Sequence, residues 1–210
     1  MIQEEKRLWK KGFNSIIGID EAGRGPLAGP VVAAAVLIDK KDFDLLKKNK
    51  LIKDSKQLSE KQRKQAYDVI INKVKWGIGI VSEKEIDKIN IREATKKAMI
   101  KAIKNIEKKT KVDFIILDGN MSLDINYNQK TVIKGDQKVL SCSAASIIAK
   151  VTRDELMIKY DKLYPLYNFK KHKGYGTKEH YLNIKKYGIC EIHRKSFHCW
   201  SGHAHFGQFN

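Results

Sequence analysis

At 210 residues the chain has the size of one domain, or of one domain with a small appendage, and can bury a substantial core; two independent large domains are not expected. Lys and Arg total 42 against 24 Asp and Glu, a net charge of +18, and at this size such an excess faces a polyanion, with nucleic acid the default partner. The bland alternative is a lysine-rich solubilising surface, since Ile, Lys and Asn are abundant along the whole chain. Cys142, Cys190 and Cys199 form an odd, sparse set that does not read as a secreted disulfide framework. Met1 to Lys11 is charged and lacks a signal-peptide core, and no apolar run approaches a membrane span, so a cytoplasmic protein away from membranes is expected.

In chain order, Ser15 to Asp20 is an apolar run ending in acid, and Val31 to Ile38 is another, with a Gly/Pro-rich turn between them; together they predict a hairpin of buried strands. Ser59 with Gln62 forms a capping box that starts a helix to about Asn72, and Trp76 to Val81 has strand character. Asn90 with Glu93 repeats the cap signal ahead of a helix to about Lys108, with Ile91, Ala94, Ala98, Ala102 and Ile106 near helical spacing and lysine on the other face. Phe114 to Leu117 predicts a buried strand that stops at Asp118-Gly119, and Thr131 to Ile133 a further short strand. Ala144 to about Leu163 reads as a long helix, and Thr177 caps another that Gly188 ends near Tyr187. A meander followed by strand, helix and strand predicts an α/β fold, a mixed five-stranded sheet flanked by helices, with a helical C-terminal extension.

Asp20, Glu21 and Asp118 all fall at the ends of apolar strands, where like charges in a partly desolvated setting repel and require a cation. Arg24 or a lysine is one candidate; a hard divalent ion, Mn²⁺ or Mg²⁺, which takes oxygen ligands and bridges to phosphates, is the other. Taken alone, Asp118-Gly119 is more often an ordinary turn. Asp136 follows the last predicted strand and is the geometric choice for a fourth carboxylate over Asp124, Asp113 and Asp154. Asp113 begins its strand and so lies at the opposite edge, while Asp154, inside a helix after Arg153, is expected in a solvated ion pair. Four carboxylates around two cations suit phosphodiester hydrolysis without a side-chain nucleophile.

The turn Gly23-Arg24-Gly25-Pro26-Leu27-Ala28-Gly29-Pro30 enters a strand rather than a helix and lacks Gly-Lys-Ser/Thr, which excludes nucleotide loops. What remains is either a plain hairpin loop or a backbone that approaches a sugar or phosphate closely. Lys170 to Thr177 sets Tyr175 between glycines among basic residues. The ring either stacks on a base or sugar, or tucks against the core.

The run Gly18 to Val32, GIDEAGRGPLAGPVV, resembles the signature of the ribonuclease HII family. Asp54-Ser55-Lys56 with Leu58 and Ser59, Leu117-Asp118-Gly119, Lys134-Gly135-Asp136, Ser143 to Asp154, His172 to Thr177 and His193 to Phe197 continue the likeness in order, over about Gly12 to Phe197. The resemblance implies a ribonuclease H-like fold and endonucleolytic cleavage of RNA hybridised to DNA, including incision 5′ of a single ribonucleotide in duplex DNA, leaving a 3′-hydroxyl and a 5′-phosphate. It implies that Asp20, Glu21, Asp118 and Asp136 are the catalytic, metal-binding carboxylates. Gly23, Arg24 and Gly25 would read the 2′-hydroxyl beside the scissile phosphate, and Tyr175 would press on the junction nucleotide. Lys56 and Lys173 are candidate phosphate contacts from charge and motif position.

Related type 3 enzymes carry an extra N-terminal domain, which this chain is expected to lack because it reaches Asp20 early. The expected organisation is a catalytic domain over 1–197, acting as a monomer, and a disordered tail over 198–210. Asn168 stands where the family pattern has glycine and tolerates the same left-handed backbone. Cys190, His193, His198, Cys199, His203 and His205 match no established zinc spacing. Two rivals are a non-catalytic nucleic-acid-binding module, indifferent to chelators, and a strand transferase of the same fold, against which the Gly-Arg-Gly turn argues.

Overall fold

The computed structural model describes residues 4–52 and 55–197. Its elements are α1 (Glu4–Lys10), β1 (Ile16–Ala22), β2 (Val31–Leu37), α2 (Lys40–Lys48), α3 (Glu60–Ile71), β3 (Lys75–Val81), α4 (Glu83–Glu107), β4 (Phe114–Asp118), β5 (Asn128–Val132), α5 (Gly135–Lys138), α6 (Leu140–Leu163), α7 (Phe169–His172) and α8 (Lys178–Tyr187). The five strands form one sheet in the order β3-β2-β1-β4-β5. β1, β2 and β3 are an antiparallel meander, while β4 and β5 run parallel to β1. The mixed α/β sheet read from the sequence is therefore the one observed.

Strand alternation divides the core into two layers. Ile17, Ile19, Ala33, Ala35, Ile115 and Leu117 face α4, where Ala94, Ala98, Met99, Ala102 and Ile106 close over them. Ala34 and Val36 face the other way, onto Ala144, Ala145 and Ile148 of α6 and onto Ala66 and Ile70 of α3. Met99 and Ile106 are fully buried, and each such side chain contributes about 1.5–3 kcal/mol over an exposed one. The helices approach closely because glycine replaces a side chain where they cross. A Cβ on Gly79 would lie 1.9 Å from the carbonyl oxygen of Ala98 in α4, and one on Gly18 would lie 2.5 Å from the amide of Cys142 in α6.

The predicted elements are found, with shifted ends. α3 opens with the capping box of Ser59 and Gln62. Asn90 does cap, its Oδ1 accepting from the amides of Arg92 and Glu93, but at φ 64° it is a kink inside a longer helix that Ser82 starts. β5 runs over Asn128–Val132 rather than 131–133, because it is a sheet edge whose side chains are largely exposed and carry no apolar run. α6 begins at Leu140 rather than Ala144. Val139 has no capping side chain, and Glu5 of α1 fills that role from afar, accepting from the amide and hydroxyl of Ser141 at 2.9 Å each. Among the described residues no helix is long and apolar enough to cross a membrane. Asp54 and the tail 198–210 lie outside the described residues.

Candidate active site

On β1, Gly18 and Asp20 share the face that α6 covers, and the parallel pairing of Gly18 with Ile116 puts Asp118 of β4 in the same row. Asp136 comes from the single turn of α5. Lys134 adopts a left-handed conformation (φ 58°), which turns the chain back so that the Gly135 amide donates to Asp118 Oδ1 at 2.6 Å. Ser143 of α6 then fixes α5 by donating to the Asp136 carbonyl at 2.6 Å. As a result Asp20, Asp118 and Asp136 each present an oxygen, and these atoms lie within 4.8 Å of one another.

Glu21, one residue on, starts from the opposite face of β1 and stands outside that group of three. Its amide donates to Asp20 Oδ1 at 2.7 Å, and its carboxylate pairs with Arg24 at 3.3 Å. It still lines the same cleft of about 250 Å³, with Asp20, Asp118, Arg24, Lys56 and Tyr175. Burial pushes the Asp20 carboxyl well above the ordinary carboxylate range, and the charges of Glu21, Asp118 and Asp136 push it further. Glu21 is raised by burial and by Asp118, with Arg24 and Lys56 opposing. Lys56 approaches Asp136 at 3.8 Å. Close-set carboxylate oxygens in a small polar cleft are the donor set a hard divalent cation takes, so the residues fit such an ion.

The Gly-Arg-Gly turn forms one wall. Gly23 has φ +97°, and a Cβ there would sit 2.1 Å from Arg153 Nε, so only glycine serves on both counts. Tyr175 stands opposite, 43% exposed, close enough to Gly25 that an added Cβ would lie 3.9 Å from its ring. The Lys150 ammonium lies 5.7 Å from the ring centroid. Lys173 does not line the cleft. Its ammonium turns back to the Lys170 carbonyl and lies 4.0 Å from Glu60, while its own carbonyl accepts from Arg153 at 2.9 Å.

Several residues of this region lie in the segments that carry the resemblance but were given no role from the sequence. Ser55, Ser146 and Lys150 line the cleft, and the hydroxyls of Ser55 and Ser146 lie 2.7 Å apart, tying the Lys56 segment to α6. Arg153 and Arg194 are both fully buried and bond backbone carbonyls behind the glycine turn. Asp154 is a correction. It is not solvated but 8% exposed, enclosed between Lys150 at 2.8 Å and Arg63 at 3.8 Å, because α3 packs over that stretch of α6. The resemblance run already spans Arg153 and Arg194; what the sequence lacked was any sign that their charges point inward.

A five-stranded sheet in this order, flanked by helices and with acids converging at the ends of β1 and β4, is the ribonuclease H-like α/β fold. A family model described as ribonuclease HII matches residues 17–200. The ribonuclease HII of Acetivibrio thermocellus is 54% identical over 194 residues, which is 92% of this chain and 73% of that protein. That of Caldanaerobacter subterraneus subsp. tengcongensis is 50% identical over 92% of this chain and 78% of its own length. Among solved structures, the ribonuclease H2 of Pyrococcus horikoshii superposes with a TM-score of 0.73 at 28% identity, covering 88% of this chain and 94% of that one. The chain belongs to the ribonuclease HII family. It is a metal-dependent endoribonuclease, a hydrolase with ribonuclease H activity on RNA/DNA hybrids.

Proposed function

We propose that the cleft at the ends of β1 and β4 hydrolyses the RNA strand of hybrids and also incises 5′ of a single ribonucleotide embedded in duplex DNA, leaving a 3′-hydroxyl and a 5′-phosphate. Asp20, Glu21, Asp118 and Asp136 are the residues that would hold two divalent cations, Mn²⁺ or Mg²⁺. The observation that carries this reading is the approach of the Asp20, Asp118 and Asp136 oxygens to within 4.8 Å of one another. When bound, the cations supply an activated water and a counter-charge for the leaving oxygen.

The protein's own groups do the rest. Asp20 and Asp136 are buried, which limits their freedom to rearrange, and the Gly135 amide fixes one Asp118 oxygen, so the ligand set is held ready. Arg24 orients Glu21 at the cleft edge. Gly23, Arg24 and Gly25 offer main-chain groups to the ribose 2′-hydroxyl, and the exposed ring of Tyr175 packs on the neighbouring nucleotide. Lys56, which already faces the acids, and the more distant Lys173 are the proposed phosphate contacts.

An end-labelled DNA duplex with one ribonucleotide, incubated with Mn²⁺ or Mg²⁺, tests the proposal. Cleavage on the 5′ side with a phosphate on the new 5′ end, lost in Asp20→Asn, is expected. Cleavage that persists in EDTA, or in Asp20→Asn, would sink it.

A further inference from the structure

Behind the glycine turn the two buried guanidiniums form a single cationic backing. Arg194 donates through Nε to the Gly29 carbonyl at 2.9 Å, through Nη1 to Arg24 at 2.9 Å, and through Nη2 to Gly23 at 2.6 Å, with Gly29 and Pro30 also in reach. Arg153 donates to Pro30, Ala28 and Lys173. Arg194 is itself fixed by its amide on the Leu27 carbonyl at 2.8 Å. Asp87 holds the next two residues, accepting from the amides of Lys195 and Ser196 at 2.9 Å each.

Peptide geometry carries the effect of these bonds through to the cleft. A trans peptide is planar, with its C=O and the following N–H pointing in opposite directions, and no cis bond occurs among the described residues. When Arg194 draws the Gly23 and Arg24 carbonyls inward, the amides of Arg24 and Gly25 must point outward. Both residues line the cleft beside Asp20, and among the described residues neither amide donates to a protein acceptor. We infer that Arg194, backed by Arg153, is a positioning residue that aims these two amides into the cleft as the donor pair for the ribose 2′-hydroxyl beside the scissile phosphate. The inference rests on the proposed reading of Gly23 to Gly25.

The choice of residue fits the task. Burying a guanidinium carries a large desolvation cost, which a neutral side chain would avoid if the loop needed only to be held. The planar fork of donors matches a fan of carbonyls that an ammonium cannot span. A cation bound to the carbonyl side also polarises each peptide and strengthens its outward N–H as a donor. Burial and the neighbouring Arg153 bring the Arg194 pKa down to about 9, which leaves it charged at neutral pH.

The test compares wild type with Arg194→Lys and Arg194→Met for binding, in EDTA, of a DNA duplex carrying one ribonucleotide and of the same duplex without it. The preference for the ribonucleotide is expected to fall about tenfold in both variants, while affinity for the all-DNA duplex and calorimetric Mn²⁺ binding stay at wild-type values. A purely structural role would move both duplexes together, and an unchanged preference overturns the inference. If wild type itself shows no preference, the reading of the glycine turn fails, and this inference with it. Should the variants not fold, ¹⁵N relaxation on wild type decides. The Arg24 and Gly25 amides should be as rigid as strand amides, with order parameters of about 0.85, and shift only with the ribonucleotide duplex; mobile or unresponsive amides overturn the inference.

Discussion

His180 and His193 meet through their Nε2 atoms, 3.1 Å apart in the buried C-terminal core, and the surrounding bonds determine which ring holds each proton. His193 Nδ1 accepts the Cys190 amide at 2.9 Å, so its proton sits on Nε2 and is donated to His180. His180 in turn donates from Nδ1 to the Tyr175 carbonyl at 2.9 Å. His172, stacked 4.3 Å from His180, accepts the Gly174 amide at 3.2 Å. Neutral imidazoles thus hold the backbone on both sides of the Tyr175 peptide.

Burial lowers both His180 and His193 to about 4, against 6.5 for a free ring. In the window between those values the unfolded chain binds protons that the folded chain refuses. The stability that these two neutral rings contribute is therefore complete above about pH 6.5 and is lost as pH falls toward 4. In metal-free protein Asp20 and Glu21, raised by burial, take up protons over the same range and offset part of this loss, so the rings are read from the difference in pH slope between wild type and a histidine variant. His193→Asn should be less stable at pH 7 yet show a shallower pH slope. Parallel slopes in thermal melts of the two proteins would remove these rings from the account.

The acid cluster opposes folding when no cation is bound, because Asp20 is buried beside Asp118 and Asp136. Asp20→Asn removes one of those charges and keeps the side-chain shape. In EDTA at neutral pH the variant should melt a few degrees above wild type, and added Mn²⁺ should stabilise wild type but not the variant. Activity should fall at least about a hundredfold, or about 2.7 kcal/mol of transition-state stabilisation. A variant less stable than wild type in EDTA would mean that the carboxylate has a structural partner outweighing the repulsion.

How much of this was legible depended on whether a residue's environment is set by its near neighbours in sequence. β1 and β4 could be read because each is an apolar run that stops at an acid. The caps at Ser59 and Thr177 could be read because a helix start is a local arrangement. The start of α6 was missed, since its cap is Glu5, more than a hundred residues away. α2 buries only Phe43 and Leu46, too thin a stripe to register. Arg153 and Arg194 were hidden for a different reason. An arginine reads as solvated, and nothing in its neighbours signals that carbonyls from 23–30 will surround it. Asp136 was found by elimination at a strand end, and the left-handed Lys134 that delivers it was not foreseen.

The contact between β1 and α6 sets a steric test near the site. A Cβ on Gly18 would lie 2.4 Å from Ser141 Oγ and 2.5 Å from the Cys142 amide, and the helix backbone cannot give way as a side-chain tip would. Gly18→Ala should cost about 1–3 kcal/mol in urea denaturation. Activity should fall as well, because the displaced helix carries Ser146 and Lys150 along the cleft. A fully stable Gly18→Ala protein would show that β1 and α6 sit farther apart than described.

Tyr175 separates a role in the substrate complex from a role in the fold. Its ring is 43% exposed, bounded by Gly25 and by the Lys150 ammonium at 5.7 Å, whereas its backbone is fixed by His180 and by the Thr177 amide. Removing the ring therefore leaves the backbone bonds in place, and Tyr175→Ala should change stability by no more than about 0.5 kcal/mol. Stacking on a nucleotide is worth about 1–3 kcal/mol. Tyr175→Ala should thus raise KM for the single-ribonucleotide duplex about tenfold or more, and Tyr175→Phe, which keeps the flat face, should stay within about threefold of wild type. If the phenylalanine variant loses as much as the alanine one, the hydroxyl rather than the ring face is the working group, and stacking is not what Tyr175 does.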